Sequence, residues 1–369
     1  MKKTFGTDPP RSGWTAASQP GDVRVGPILA IPDVLTELGV SPQRALAQAG
    51  VDPRLFDGPD NRIQLDDLGC LFDTCVALTG CHHFGLLVGE RFDLKALGAL
   101  GQLLRNSATV GDALRSLLLH IHFQDRGAAP VLLAPGPAHV ILGYSVYRHG
   151  TPAIEQILDA AIAIGHRILC ELCGSDWHAL RVQFAYVQPG NIAPYRRVFR
   201  SNVAFGAEVS GLIFPASLLE KPIAGADATL HDRVAKSIRE AEEPLSFAER
   251  VEGILPQMLM SGMASADSVA HLFAIHERTL RRRLAEDGKN LQQLINDARF
   301  ELAKQLLQNT ELSVLAIATA LRYDDPNAFS RAFRSWADTS PTQWRARHRS
   351  DAGGRGVAFP RDPRRPLLR

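Results

Sequence analysis

Apolar residues recur at three-and-four spacing along most of the first 125 residues, with Gly and Pro between the runs. This spacing places the apolar side chains on one face of a helix. The helices it predicts cover residues 31–39, 41–49, 65–79, 84–92 and 110–123. The chain is therefore expected to begin its folded part with a group of amphipathic helices.

The pattern changes after residue 129. The run PVLLAPGPAHVILGYSV holds two aliphatic stretches around a Pro-Gly-Pro turn, and HALRVQFAYV alternates apolar and polar residues. Alternation with a period of two is typical of a half-buried strand. Shorter strands are predicted at 203–205 and 212–214, and a long helix at 151–173. The sequence thus predicts an α+β domain in which helices cover a small sheet.

Two stretches nearer the C-terminus share one layout. They are SADSVAHLFAIHERTLRRRLAEDG, which starts at Ser265, and LSVLAIATALRYDDPNAFSRAFRSWADTSP, which contains Ser313. In each, the serine caps a short apolar helix, a brief turn follows, and a second helix carries basic or small polar residues on its outward face. Ala270 or Ala318 stands where the two helices are expected to cross closely. Each stretch predicts a helix-turn-helix unit, and together they form an all-α domain.

A single helix is predicted between the two units, over the segment KNLQQLINDARFELAKQLLQN. At ~1.5 Å per residue, about eighteen residues make a rod of roughly 27 Å. Such a rod can join two DNA-reading heads that are set about one DNA turn, ~34 Å, apart. One chain is therefore expected to read two successive major-groove windows on one face of a duplex.

The composition is that of a globular chain. Its 369 residues suggest two or three domains, and 45% hydrophobic residues are enough to give each a core. The formal net charge is +2, with the positive excess after residue 250. An excess this small supports nucleic-acid binding only weakly, because the placement of basic side chains decides that interaction.

Cysteine usage and the lack of an apolar leader or span predict a cytoplasmic protein that does not enter a membrane. Cys170 and Cys173 are interpreted as ordinary thiols, and Cys81-His82-His83 lacks partners at zinc spacing. We find no Gly-rich phosphate loop, nucleophile elbow or HExxH motif. The sequence therefore predicts neither an enzyme, nor a metal, nor a cofactor.

The tandem units, the linking helix with Arg299, and the closing sequence TSPTQWR, from Thr339 to Arg345, resemble the AraC/XylS family of bacterial transcription regulators. This likeness covers about 80 residues. Upstream, three segments are similar to the effector-sensing domain of the subgroup that includes ornithine-utilisation regulators. They are RIQLDDLGCLF, ALGALGQLLRNSATVGDALRSL and PYRRVFRSNVAFGAEVSGLIFPASLLEKP.

The resemblance implies a regulator that binds double-stranded DNA and a small-molecule effector, forms a homodimer and acts with RNA polymerase. The predicted organisation is a disordered tail (1–26), an α+β effector-sensing and dimerisation domain (27–222), a helical linker (223–255), a double helix-turn-helix domain (256–350) and a disordered basic tail (351–369).

The resemblance also implies which residues meet DNA. The recognition helices would be 277–286 and 326–336. The side chains expected to face DNA are Arg278, Thr279, Arg281, Arg282, Asn327, Ser330, Arg331 and Arg334. Arginine can bind guanine through two hydrogen bonds, asparagine can do so with adenine, and arginine and serine also bind phosphates.

The chain departs from the family pattern at its turns. Ala274, Arg322 and Asp338 stand where the family usually has glycine, and His276 stands where it usually has a serine cap. A non-glycine residue at positive φ costs about 1 kcal/mol, so strain or an altered turn is expected at Arg322. The Asp-Pro pair at 325–326 is a good start for the second recognition helix.

Candidates for an effector pocket are His120, His122, Tyr144 and Tyr147, since a helix and a strand of an α+β domain often meet at a pocket. Scattered half-buried positions explain these residues equally well.

Three alternatives are considered, and the basic residues on the two recognition helices already argue against the last of them. A regulator that answers to a protein partner would have an N-terminal interior filled by apolar side chains, without a cavity. A catalytic N-terminal module would need titratable side chains that converge in a cleft. A protein-interaction scaffold would lack a basic outward face on the two recognition helices.

Overall fold

The computed structural model describes most of the chain, namely residues 21–121, 128–133, 137–146, 151–207, 209–242, 246–260, 264–273, 275–309, 313–321, 323 and 325–350. These residues fall into two compact units, one ending at Ala298 and one beginning at Arg299. Because the division lies inside a helix, the predicted helix-turn-helix region 256–350 contributes to both units.

Helices form where the apolar spacing predicts them, with ends that shift by up to three residues. Those before the division are α1 (Ile31–Glu37), α2 (Pro42–Ala49), α3 (Leu65–Thr79), α4 (Phe84–Glu90), α5 (Ala99–Arg105), α6 (Val110–His120), α7 (Ile154–Cys173), α8 (Ala193–Phe199), α9 (Ala228–Glu242), α10 (Phe247–Met260), α11 (Ala266–Leu272) and α12 (Glu277–Glu286). The linking helix α13 (Leu291–Asn309) crosses the division. After it come α14 (Val314–Ala320), α15 (Pro326–Ala337) and α16 (Pro341–Ser350).

Local chemistry sets several helix ends. Ser41 precedes α2, and its hydroxyl accepts a hydrogen bond from the backbone N–H of Arg44. Gly50 and Gly80 end α2 and α3 with φ of 71° and 67°, a conformation that glycine adopts without steric cost. These are the breaks that the sequence pattern indicates.

The predicted strands build one five-stranded sheet. Its members are β3 (Ala128–Leu133), β4 (His139–Val146), β5 (Arg181–Phe184), β6 (Asn202–Phe205) and β7 (Gly211–Pro215). They lie in the order β3-β4-β7-β5-β6, and β5 pairs with β6 in parallel while the other pairs are antiparallel. The α+β class predicted for this region is confirmed.

Part of the predicted N-terminal tail is ordered. Residues Asp22–Arg24 form β1, which pairs antiparallel with β2 (Arg62–Gln64). Val23 and Val25 are buried there, and the Arg24 guanidinium bonds the Asp60 carboxylate and the Ala96 carbonyl. The pattern is too short to predict a strand, because its partner lies about forty residues away along the chain.

Two apolar cores meet along α7. The first, here called the α1–α4 core, includes Phe72 and Phe84 and takes Ile157 from α7. The second, the sheet core, lies between α5, α6 and the sheet and takes Leu169 from α7 and Leu212 from β7. The long helix therefore holds the two halves of the α+β region together.

Helix α4 lies against α7 at glycine positions. A Cβ atom at Gly85 would lie 2.0 Å from the carbonyl oxygen of Gln156, and one at Gly89 would lie 2.4 Å from that of Ala160. The Gln156 side chain in turn accepts a hydrogen bond from the Gly85 N–H at 2.8 Å. Only glycine permits backbones to approach this closely.

One carboxylate is buried in the α+β region. Asp159 of α7 is 0% exposed and accepts hydrogen bonds from the hydroxyls of Tyr186 and Tyr195, the latter at 2.7 Å. Burial raises the pKa of Asp159 to about 7, although both tyrosine hydrogen bonds act to lower it. Near neutral pH the Asp159 carboxyl therefore changes between its protonated and its ionised form inside the folded protein.

Among the described residues, no single helix combines the length and hydropathy needed to cross a bilayer. Helices α3 and α4 meet these criteria only when they are taken together across a bend of 109°. Both contribute side chains to the α1–α4 core.

Replacing Gly85 with alanine tests the α4–α7 contact. Because the new methyl group meets backbone, α4 must move away from α7, and Gly85→Ala should lower the free energy of unfolding by about 1–3 kcal/mol. Gly165→Ala in α7 is the matched control, since its Cβ meets only side-chain atoms at 3.5 and 3.7 Å. Urea denaturation measures both variants, and a Gly85→Ala variant as stable as the control would contradict the close contact.

Asp159→Asn tests the buried carboxyl. The folded-state pKa of about 7 exceeds the unfolded value of about 3.9, so the stability that depends on the proton falls as pH rises between them. The variant cannot ionise, and its stability relative to wild type should rise by roughly 1 kcal/mol per pH unit across that window.

Comparing the Asp159→Asn variant with wild type removes the opposite pH dependence that His166 contributes to the stability of both. Burial lowers the pKa of His166 to about 4, which makes its contribution to stability rise between about pH 4 and 6.5. This contribution is common to both proteins and cancels in the difference. A difference between variant and wild type that stays constant from pH 5 to 7.5 would contradict the assignment to Asp159.

Candidate nucleic-acid interface and ligand cavity

The first helix-turn-helix unit forms as predicted from α11 and α12. The Ser265 hydroxyl accepts the N–H of Ser268 at 3.1 Å, which caps α11. The turn is closed by a hydrogen bond of 3.0 Å from the N–H of Ile275 to the carbonyl of Ala270. Ala270 is 3% exposed, so its small side chain lets the helices approach.

Helix α12 buries one face and exposes the other. Leu280 and Leu284 are fully buried, whereas Arg278, Arg281 and Arg282 are exposed. At 100° per residue, Arg278 and Arg282 lie opposite the two leucines. This face has the charge and the exposure that contact with DNA phosphates or base edges requires.

Two arginines of α12 form ion pairs within the helix. Arg281 pairs with Glu277, and Arg282 pairs with Glu286 at 2.9 Å, each one helical turn away. Exposed pairs of this kind contribute little to stability, so phosphate can replace either carboxylate. Thr279 is half-buried at the edge of the face.

Arg283 belongs to the same run of basic residues, but its side chain lies over an aromatic ring of α10. Its guanidinium lies 5.5 Å from the ring centre of Phe247, the first residue of α10. This arginine therefore packs against α10, and the charge pattern alone does not distinguish it from its neighbours.

The second unit repeats this construction with α14 and α15. The N–H of Tyr323 bonds the carbonyl of Ala318 at 2.9 Å. Asp325 caps α15 by accepting the N–H of Asn327 at 2.9 Å, with proline at the next position. Phe329 is fully buried, and the predicted Asp-Pro start of this helix is confirmed.

The outward face of α15 is centred on Arg331. Its side chain is 73% exposed, and its guanidinium lies 3.9 Å from the Asp325 carboxylate. Asn327 and Arg334 are exposed beside it, whereas Ser330 is half-buried on the flank. Ser335 is also exposed on this face, and a helical-wheel reading of the sequence finds it.

The residues of the first helix-turn-helix unit have equivalents in the second at a nearly constant separation along the chain. Ala318 follows Ala270 by 48 positions, and Arg331 follows Arg282 by 49, because the second turn holds one more residue. Arg282 and Arg331 thus occupy the same central place on their helices, as Arg278 and Asn327 do one turn earlier. The sequence repeat is a repeat of structure.

The departures at the turns have mixed outcomes. Asp338 adopts the left-handed conformation, with φ of 52°, at the end of α15. This conformation is expected at a position where the family usually has glycine. His276 precedes α12 without a side-chain capping bond. Ala274 and Arg322 lie outside the described residues.

The closing sequence of the second unit has a structural role. Ser340 and Gln343 form a reciprocal cap: the Gln343 N–H bonds the Ser340 hydroxyl, and the Ser340 N–H bonds the Gln343 carboxamide, each at 3.2 Å. Trp344 packs 5.8 Å from Phe333, and the Arg345 guanidinium bonds the Leu307 carbonyl. Helix α16 therefore fixes the back of α15.

Arg299, on the linking helix, lies with its guanidinium 5.1 Å from the ring centre of Tyr323. It supports the turn residue of the second unit from behind. Its role in the described structure is one of packing.

An apolar cavity of about 110 Å³ lies where the α1–α4 core and the sheet core meet. Phe72 of α3, Leu117 of α6, Gly165 of α7 and Leu212 of β7 contribute to its wall, together with Tyr144 of β4. Tyr144 is one of the four effector candidates, and the structure places it in a cavity.

Of the other three candidates, one is described by the structure, and it is not among the residues that line the cavity. His120 is half-buried at the end of α6, and the next residue, Ile121, lines the cavity. His122 and Tyr147 lie outside the described residues.

A second, more open cleft of about 880 Å³ has titratable side chains in its wall, among them His82, His83 and Glu155. Burial lowers the pKa of His83, which favours its neutral form. Tyr186 and Tyr195 also line the cleft, but their hydroxyls bind the buried Asp159. Within the described part of the chain, no group of three or more His, Cys, Asp or Glu side chains could hold a metal ion.

Family models match both regions. Residues 39–223 match the arabinose-binding domain of AraC transcription regulator, N-terminal, and residues 269–347 match a helix-turn-helix domain.

Individual proteins resemble the chain over most of its length. It is 29% identical over 325 residues to an ornithine utilization regulator of Pseudomonas aeruginosa, which covers 86% of this chain and 94% of that protein. It is 28% identical over 318 residues to the HTH-type transcriptional regulator VirS of Mycobacterium tuberculosis, with 85% and 93% covered. The crystal structure of the transcriptional regulator CdpR from P. aeruginosa aligns with 23% identity and a TM-score of 0.43, over 82% of this chain and 96% of that chain.

The match to the regulatory-domain model covers half of the chain and is followed by the helix-turn-helix match. The protein therefore belongs to the AraC family of DNA-binding transcription regulators.

Proposed function

We propose that this AraC-family regulator is controlled by a small-molecule effector in its N-terminal domain and reads one DNA duplex with two helices, α12 and α15. The proposal includes a homodimer and contact with RNA polymerase, which rest on the family resemblance alone. It also includes action in the cytoplasm, which rests on the cysteine usage and on the absence of a long apolar segment in the sequence.

The outward faces of α12 and α15 support the DNA contacts. Arg282 and Arg331 hold equivalent central positions, and their side chains are 65% and 73% exposed. The other proposed contacts surround them: Arg278, Thr279, Arg281, Asn327, Ser330 and Arg334. A central arginine is well placed for two hydrogen bonds to guanine in the major groove.

The cavity carries the proposal of effector control. A regulator that responds only to a protein partner needs no internal space, whereas the described residues enclose about 110 Å³ in the N-terminal region. The names of the relatives give no support to a catalytic N-terminal module, because these proteins are named as transcription regulators.

A continuous set of contacts supports a route from the cavity to the first recognition helix. Pro130 of β3 lines the cavity, and β3 contacts α10. At the start of α10, the Phe247 ring packs 5.2 Å from Phe273, and the Ala248 N–H bonds the Asp287 carboxylate at 2.7 Å. We propose that an effector shifts α12 through β3 and α10 by binding one arrangement of these elements more tightly than another.

Selection of DNA from a random pool by the purified full-length protein tests the proposal as a whole. The selected sequences should share a motif, and their affinity should fall steeply with salt because phosphate contacts release counterions. Mapping of bound DNA across the genome of the native host then identifies the regulated genes. A pool that yields no shared motif would contradict sequence-specific reading.

Arg282→Ala and Arg331→Ala test the two central contacts. Each should weaken binding to the selected DNA by ~1–3 kcal/mol if the arginine reads a base, while binding to random DNA changes less. If both DNAs lose affinity equally and the salt slope falls by about 1, the arginine contacts phosphate instead.

The control is Arg233→Ala, which removes the same charge from an exposed position on α9. It should leave the affinity for both DNAs unchanged. If the three variants bind DNA alike, neither helix meets the duplex through its central arginine and the proposed contacts are wrong.

A further inference from the structure

The wall of the N-terminal cavity is apolar almost throughout. Among the described residues that line it, Tyr144 is the one whose side chain carries a polar atom; the rest are Val, Ile, Leu, Phe, Pro, Ala and Gly. None of the described lining residues carries a charged side chain.

The backbone of β4, β7 and α7 beside the cavity is also already paired. Leu142 and Gly143 of β4 face Leu212 and Gly211 of β7 in the antiparallel ladder, and the α7 residues lie within a helix. Backbone N–H and C=O groups in such elements bond one another and are not available to a ligand. A polar ligand would therefore lose its bonds to water without gaining replacements.

This environment discriminates strongly among ligands. Each hydroxyl left without a partner in such a site weakens binding by about 10- to 100-fold, and an unpaired charge weakens it far more. A pentose has several hydroxyl groups, and ornithine carries an ammonium side chain as well as an amino-acid head. Neither chemistry suits this wall.

The size of the cavity limits the ligand as well. An engineered cavity of about 150 Å³ lined by Leu, Ile and Phe in another protein stays dry and binds benzene. The cavity here, of about 110 Å³, is smaller and has the same kind of wall. It suits a single small ring or a short alkyl group.

We propose that this cavity is the effector site, and that its ligand is a compact, uncharged, hydrocarbon-rich molecule, such as a small aromatic or alicyclic compound with at most one polar group. The inference rests on the proposed effector control and specifies its chemistry. The ligand proposed here differs in chemistry from the sugar named in the matching family model and from the amino acid named for one relative.

Gly165 offers a direct way to close the site. A Cβ atom there would meet the Leu212 Cδ1 at 3.5 Å and the Leu142 Cδ2 at 3.7 Å, which are ordinary contacts. An alanine side chain therefore fits, whereas the longer side chain of Gly165→Leu occupies the cavity. Ala161→Leu, one turn earlier on α7, fills the same space from a second position, and Ala47→Leu adds the same group to an exposed position on α2.

The experiment measures the melting temperature of the full-length protein with toluene, cyclohexanol, L-arabinose or L-ornithine. Toluene or cyclohexanol should raise the Tm of wild type, Gly165→Ala and Ala47→Leu by about 2–4 °C at saturating concentration, since binding to the native state stabilises it. Gly165→Leu and Ala161→Leu should lose this shift while each still unfolds in one cooperative transition like that of wild type, which shows that they fold.

Three outcomes overturn the inference. One is no shift with either apolar probe; another is a shift with arabinose or ornithine; the third is an apolar shift that persists in both cavity-filling variants. DNA affinity, measured with and without the apolar probe, gives a separate result. An apolar shift that depends on Gly165 but leaves DNA affinity unchanged supports the ligand class and contradicts effector control.

Discussion

One backbone hydrogen bond in each helix-turn-helix unit sets the geometry on which DNA reading depends. The N–H of the turn residue, Ile275 or Tyr323, bonds the carbonyl five positions earlier, in Ala270 or Ala318. These bonds fix where the second helix starts relative to the first, and the small alanine side chains let the helices cross closely. With the turn fixed and the inner face of α12 or α15 buried, the opposite face can only point outward. The arginines at the centres of these faces owe their exposure to this constraint.

The sequence predicts the elements that depend on local pattern and misses those that depend on distant partners. The helices α1–α4, α6 and α7, the strands β3 and β4 and the caps at Ser265 and Asp325 follow from spacing and capping chemistry within a few residues. Strand β1 does not, because its partner β2 lies far along the chain. Arg283 reads as part of a basic face, yet it packs on Phe247 of α10, since only the tertiary fold brings that ring to it.

For the candidate sites, too, the sequence predicts what depends on local pattern and misses what depends on distant partners. The outward residues of α12 and α15 can be found with a helical wheel, which also adds Ser335. The cavity cannot be found this way, because its wall comes from two cores that meet along α7. The sequence offers Tyr144 as a pocket candidate, but it does not show the apolar residues that surround this side chain. The buried Asp159 and its two tyrosines are likewise invisible to a linear pattern, since they come together from α7, α8 and the segment after β5.

The cavity and the recognition helix α12 stand at opposite ends of one chain of contacts through β3 and α10. A ligand that fills the cavity touches both cores, so it can favour one packing of α7 against the sheet over another. Its effect on transcription depends on how that preference reaches α10, whose first residues hold the first helix-turn-helix unit. In the proposed control, a modest binding energy in this small apolar space changes the position of a DNA-reading helix.

The most direct test of the central claim is hydroxyl-radical footprinting of the full-length protein on DNA selected from a random pool. If α12 and α15 of one chain read adjacent major-groove windows, each monomer site shows two protected windows on one face of the duplex, with centres about 10 base pairs apart. Protection of one window alone, or of windows on opposite faces, would contradict the account.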